Sequence, residues 1–149
     1  MDSQSSIMHD EVPLPPEAVK KFFMDLPFSK FLGLTLDRLG DGRAVMSMPY
    51  QEKFIGDPKT GIIHGGVVTT LLDSCCDAAV MTAGDPQLPT ATIDLRIDYM
   101  RPAEPKQILV AEAKCYRVTT SVVFVRATAH DGVKKIPVAT ATGAFTSPF

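Results

Sequence analysis

At 149 residues and 45% hydrophobic side chains, the chain has enough apolar surface for one core and too little length for two domains of ordinary size. Its formal charge of −2 excludes nucleic-acid or membrane-surface binding through a global basic field, while leaving room for a local basic pocket that holds an anionic group. Three cysteines, two of them adjacent at Cys75-Cys76, suit neither a disulfide framework nor a zinc site and read as reduced core residues, so no metal is expected. No stretch approaches the roughly 18 apolar residues of a membrane span. The N-terminal MDSQSSIMHDE has neither the basic nor the apolar part of a secretory leader, so the expected compartment is the cytoplasm.

Residues 1–16 are polar and then proline-rich, with no apolar period, and are expected to form a flexible arm ahead of a single domain over 17–149. Pro16-Glu17 suits a helix start, and Ala18, Val19, Phe22, Phe23 and Leu26 space a short amphipathic helix that ends before Pro27. Phe28, Phe31, Leu32 and Leu34 follow as a dense apolar run that either caps the core or lines an apolar pocket. Leu34–Leu39 and Arg43–Pro49 read as two strands closed by Gly40-Asp41-Gly42. The loop from Tyr50 to Ile63 leads to His64.

The stretch Gly61–Ala83 is the longest without a breaker. Val68, Leu71, Leu72, Cys75 and Ala79 follow helical spacing, and Gly84 with Asp85-Pro86 is expected to stop the helix. From Gly66 to Ala83 such a helix is roughly 27 Å long, enough to cross a small domain. Thr92–Tyr99 then alternates Ile93, Leu95, Ile97 and Tyr99 with Thr92, Asp94, Arg96 and Asp98, the signature of a half-buried strand with a charged outer face. Three more strands are expected at Ile108–Arg117, Ser121–His130 and Val133–Thr146, with a tight hairpin at Asp131-Gly132 and an edge or bulge at Pro137. Ala111, Ala113, Ala127, Ala129, Ala139 and Ala141 would let the long helix lie close on the sheet. The fold class is α+β, with an antiparallel sheet and one long packed helix.

Phosphate-loop, dinucleotide, serine-hydrolase and zinc-protease motifs are absent, which leaves His64-Gly65-Gly66 and the Asp73, Asp77 pair. A helix opening on two glycines presents unpaired N–H groups at the positive end of its dipole, with no Cβ to keep a ligand away. Such an end can hold a carbonyl oxygen as it gains charge. Asp73 stands about two turns farther along, so carboxylate and N–H donor converge only if a second copy sets its helix antiparallel to the first. Asp73 and Asp77, at i and i+4, share a face, and their like charges should raise at least one pKa.

HGGVVTTLLD, followed by ATIDLRIDYMRPA, resembles the hot-dog-fold acyl-coenzyme A thioesterases of the PaaI-like branch, over roughly Phe31 to the C-terminus. The resemblance implies a sheet of five to six strands wrapped around the long helix, a homodimer or a dimer of dimers, and active sites between subunits. It implies that the Gly65 amide polarises the thioester carbonyl, with Asp73 of the other subunit as nucleophile or general base. His64 would shape the mouth of the site, and Gly66, Asp77 and Thr92 would bind substrate, Thr92 assisting the water. No cofactor is implied beyond the coenzyme A of the substrate. One position departs: where relatives carry Asn or Gln six residues before the His, this chain has Pro58. Arg101, Lys106, Arg117 and Lys134, at strand ends, are candidates for the coenzyme A phosphates. The alternatives are a binding protein of the same fold without turnover, and an enoyl-thioester hydratase.

Overall fold

The structure, a computed structural model, describes residues 12–84 and 90–147. Two short helices, α1 (Glu17–Asp25) and α2 (Pro27–Leu32), precede the hairpin β1 (Thr35–Gly40) and β2 (Arg43–Met48). A 3-10 turn at Glu52–Phe54 and the small ribbon β3 (Ile55–Asp57) and β4 (Ile62–Ile63) lead into the long helix α3 (Gly65–Met81). The strands β5 (Thr92–Tyr99), β6 (Leu109–Val118), β7 (Val122–His130) and β8 (Ala139–Thr146) complete the chain. One antiparallel sheet runs in the order β1-β2-β6-β7-β8-β5. Among the described residues no helix is long and apolar enough to cross a membrane.

Helix α3 packs on the inner face of that sheet, the arrangement the resemblance implies. Its buried side runs through Val68, Leu71, Leu72, Cys75, Cys76 and Ala79 and widens toward the C-terminus with Ala78 and Val80. The six strand alanines are all buried in the same core. They let the helix come so near that the Cys75 thiol reaches the carbonyls of Ala44 and Ala111, both at 3.4 Å. Leu71 and Leu72 have no exposed surface. Burial of each contributes about 1.5–3 kcal/mol. The helix ends at Met81 with Thr82 as its cap, and the expected stop at Asp85-Pro86 lies outside the described residues.

Asp41 and Gly42 form the two-residue turn of the first hairpin, with φ of 52° and 72°. Both are positive, as a turn matching strand twist requires. The second expected tight hairpin is not one. Asp131 does not close β7 onto a strand beginning at Val133; β8 begins at Ala139, and Pro137 lies in the connecting loop. The Asp131 carboxylate is fully buried and takes both guanidinium nitrogens of Arg101, at 2.6 and 2.8 Å, with the N–H groups of Glu104 and Val133. A turn residue has become the tie between two loops, and its carboxyl is held far below the ordinary range, chiefly by the Arg101 bonds.

Strand β5 has the expected bounds but sits at the sheet edge, paired only with β8 and bulged between Thr92 and Asp94. Of its apolar face, Leu95 and Ile97 are partly buried, while Ile93 and Tyr99 are 56% and 53% exposed. Asp94, Arg96 and Asp98 are exposed, as expected of an outer face. Of the expected arm, residues 1–11 lie outside the described residues. Val12 is buried, its carbonyl accepts from Arg38, and that of Pro13 accepts from Leu39 N–H, so this end of the arm is seated on β1.

Candidate active site

The ribbon β3–β4 sets the start of α3. Asp57 accepts from Lys59 N–H and the Thr60 hydroxyl, which closes the turn that contains Pro58. Gly56 lies against His64: a Cβ there would stand 2.9 Å from the His64 Cα. His64 is the N-cap of α3, its Nδ1 accepting from Gly66 N–H at 2.8 Å. That bond places the ring hydrogen on Nε2. A Cβ on Gly66 would fall 2.9 Å from the same Nδ1, so a glycine is what permits the cap.

The carbonyl of Gly65 is held as firmly. It lies within hydrogen-bond reach of the Tyr99 hydroxyl, at 3.1 Å, and of the Thr69 hydroxyl, at 3.2 Å; the two hydroxyls also meet each other, so one donates to the carbonyl while the other donates to its fellow hydroxyl. The peptide joining Gly65 to Gly66 is therefore pinned at its oxygen by Tyr99 and Thr69 and at its N–H by His64. The N–H of Gly65, first in the helix, has no intrahelical acceptor and points out of the positive end of the dipole. A preorganised donor of this kind stabilises an oxygen that gains charge.

Thr70, Asp73 and Asp77 lie along the side of α3 that its own sheet leaves partly uncovered. Asp73 Oδ1 accepts from the Thr92 hydroxyl of β5 at 2.9 Å, so the carboxylate and the strand hydroxyl singled out by resemblance are in contact. Asp77, one turn on, is partly buried; its pKa is pushed up to about 6, by burial first and the Asp73 charge second. The expected rise thus falls on Asp77. Eight residues separate Gly65 from Asp73, roughly 12 Å along the axis, too far for one carbonyl to meet both within a single chain.

Beside His64 and Gly66 opens a cleft of about 360 Å³, walled by Phe28, Phe31 and Leu32 of the α2 segment and by Lys53, Phe54 and Ile55. The two readings of that apolar run thus divide by residue, since Leu32 and Leu34 are buried while Phe28 and Phe31 are more than half exposed. Among the basic candidates, Arg101 is committed to Asp131 and the Ile136 carbonyl, and Lys134 pairs with Glu104 at 2.8 Å. Arg101 is thereby a structural tie, while Lys134, in a surface ion pair, remains exposed together with Lys106 and Arg117.

Tyr99 is the site residue that sequence reasoning missed, having been read only as an apolar strand residue. The signal was its phase: it alternates with Leu95 and Ile97, the residues that face the helix. What its hydroxyl would reach depended on where β5 ends relative to α3.

Comparison with known proteins places this geometry in context. The family profile described as the thioesterase superfamily matches residues 60–137. The medium/long-chain acyl-CoA thioesterase YigI of Escherichia coli is 27% identical over 83% of this chain and 87% of its own length. A Pseudomonas aeruginosa protein of known crystal structure is 37% identical, with a TM-score of 0.76 over 87% of this chain and 96% of that one. The E. coli PaaI protein from the phenylacetic acid degradation operon, at 20% identity and a TM-score of 0.76 over 87% of this chain and 89% of that one, shares the hot-dog fold.

Proposed function

Because the chain belongs to the thioesterase superfamily, we propose that it hydrolyses an acyl-coenzyme A thioester to the free acid and coenzyme A, at a site shared by two copies of the chain. The observation that carries this reading is the Thr92 to Asp73 hydrogen bond of 2.9 Å, which fixes one carboxylate oxygen on the partly uncovered side of α3 beside the edge strand β5. The thioester carbonyl oxygen accepts from Gly65 N–H of one copy. Asp73 of the second copy takes a proton from water as it adds to the carbonyl carbon, or adds directly to give an anhydride that water then opens. The tetrahedral oxyanion is held by Gly65, and the thiolate of coenzyme A leaves and takes up the proton. His64 keeps the first turn of the helix in place and Gly66 lets the substrate come close. Asp77 and Thr92 border the reacting group. Neither catalytic route needs a bound cofactor, and the cytoplasm is the proposed compartment.

The edge strand β5, with Ile93, Tyr99 and Met100 exposed beside α3, supports a homodimer in which a second β5 continues the sheet. The test separates the two halves of the site. Gly65→Pro removes the N–H at the first helical position, where proline is well tolerated, and His64 already has the extended backbone that a following proline needs. Asp73→Asn removes the carboxylate. Each variant should lose about 10²- to 10³-fold in free-thiol release from acyl-coenzyme A. An equal mixture, unfolded and refolded together, should recover about a quarter of wild-type activity, because each mixed dimer regains one intact site. Recovery no greater than the sum of the two variants would overturn the shared site, and full turnover by Asp73→Asn would remove Asp73 from the chemistry.

A second reading, acyl-thioester binding without turnover, is favoured by Pro58: it supplies no amide, and the neighbouring Asp57 carboxylate is spent inside its own turn. Tight binding with no free thiol released across a substrate panel would establish it.

A further inference from the structure

Phe28 and Phe31 are 57% and 51% exposed at the surface next to His64, an unusual outlay of aromatic area for a face that meets only water. Their rings stack nearly parallel, at an interplanar angle of 5° and 6.1 Å between centroids, and Phe31 lies 6.1 Å from the buried Phe54. All three line the 360 Å³ cleft, together with Gly66, Val67 and Thr70 of α3. Lys53 stands at the rim, its Nζ 4.0 Å over the Phe31 ring.

A thioester carbonyl at Gly65 N–H has two arms, and only one of them suits this cleft. The pantetheine arm carries amides that need hydrogen-bond partners once removed from water. The unspent side-chain groups of the cleft are donors, His64 Nε2–H and the Lys53 ammonium, while the Thr70 hydroxyl already donates to the Gly66 carbonyl and His64 Nδ1 is occupied by Gly66 N–H, so the N–H groups of the pantetheine amides find few side-chain acceptors there. An apolar arm asks for no partners and gains by displacing water from the rings.

We propose that this cleft takes the apolar body of the acyl group, with Phe31 and Phe28 as the residues that set specificity for extended alkyl or aryl acyl groups over short ones. This rests on the thioester reading above and adds which side of the carbonyl each arm occupies. The polar coenzyme arm then leaves on the side of the carbonyl away from α2.

The test is a series from acetyl- to dodecanoyl-coenzyme A, with benzoyl- and phenylacetyl-coenzyme A, assayed by free-thiol release on wild type, Phe28→Ala, Phe31→Ala and Phe31→Leu. Both aromatic side chains are about half exposed, so the melting temperature should fall by no more than a few degrees. Phe31→Ala should raise KM for the long alkyl and aryl substrates by about ten- to a hundredfold, while kcat/KM for acetyl-coenzyme A stays within twofold. Phe31→Leu should restore the alkyl substrates and leave the aryl ones impaired. Equal losses at every acyl length would place the pantetheine arm in the cleft and overturn the proposal, as would no loss at any length. If wild type turns over none of the panel, the thioesterase reading fails separately. Calorimetric binding of the same compounds to the same variants then decides the cleft: a loss that grows with acyl length upholds it, and a uniform or absent loss overturns it.

Discussion

The sheet has two free edges, and they are finished differently. At the β1 edge the chain ends its own pairing: Pro13 accepts from Leu39 N–H, Arg38 binds the Val12 carbonyl, and a bulge between Leu36 and Arg38 breaks the register. At the β5 edge the strand is eight residues long, and Ile93, Tyr99 and Met100 each expose more than half their surface. An exposed edge with apolar side chains is a template for another strand, and proteins normally blunt such edges. One edge is closed by the chain itself while the other stands open beside Gly65, Asp73 and Thr92. The open edge and the proposed site occupy the same side of the molecule, as a site finished by a second copy would require.

Breaking the open edge should have the largest effect. Ile93→Lys puts a charge on β5 and should shift native mass spectra from dimer to monomer, with turnover falling by about 10²-fold or more as the shared site comes apart. A monomeric variant with full activity would end the contrast between the edges. Arg101→Met probes the anchor just beyond β5, since it leaves the Asp131 carboxylate buried without its cation. Urea denaturation should show a loss of about 3–5 kcal/mol.

A smaller effect concerns the carboxylates beside that edge. The folded-state pKa of Asp77 is about 6, above its ordinary value of 3.8. The folded protein therefore binds more protons than the unfolded chain between those values, and this group lowers stability as pH rises through that window. Asp77→Asn should flatten that slope and raise stability at pH 7 by about 1–2 kcal/mol, once solvent screening is allowed for. A pH dependence of urea midpoints identical to wild type would show that Asp77 is not the group responsible. The smallest effect belongs to the closed edge. Arg38→Ala removes one bond to the Val12 carbonyl and should cost about 1 kcal/mol or less, with assembly and turnover unchanged.

The parts that were legible in the sequence are those decided by near neighbours. The spacing of Val68, Leu71, Leu72 and Cys75 marked the helix and its buried side, and the alternation from Thr92 to Tyr99 matched the bounds of β5. The turn at Asp41-Gly42 was legible because two positive φ angles demand such residues. Asp131-Gly132 misled by the same logic. Its carboxylate was worth more paired with Arg101, thirty residues away, than spent in a local turn.

By itself the sequence determined one helix that begins at His64-Gly65-Gly66 and carries Asp73 and Asp77 on one face, with a sheet of alanine-lined strands to receive it. Only the tertiary structure decided that β5 crosses to the far side of β8, which brings Thr92 to Asp73 across 19 residues and Tyr99 to Gly65 across 34. Helical and strand periods come from backbone geometry within a few residues, which a reading of neighbours recovers. Contacts across tens of residues depend on which strands pair and where loops close, and no local pattern encodes that order.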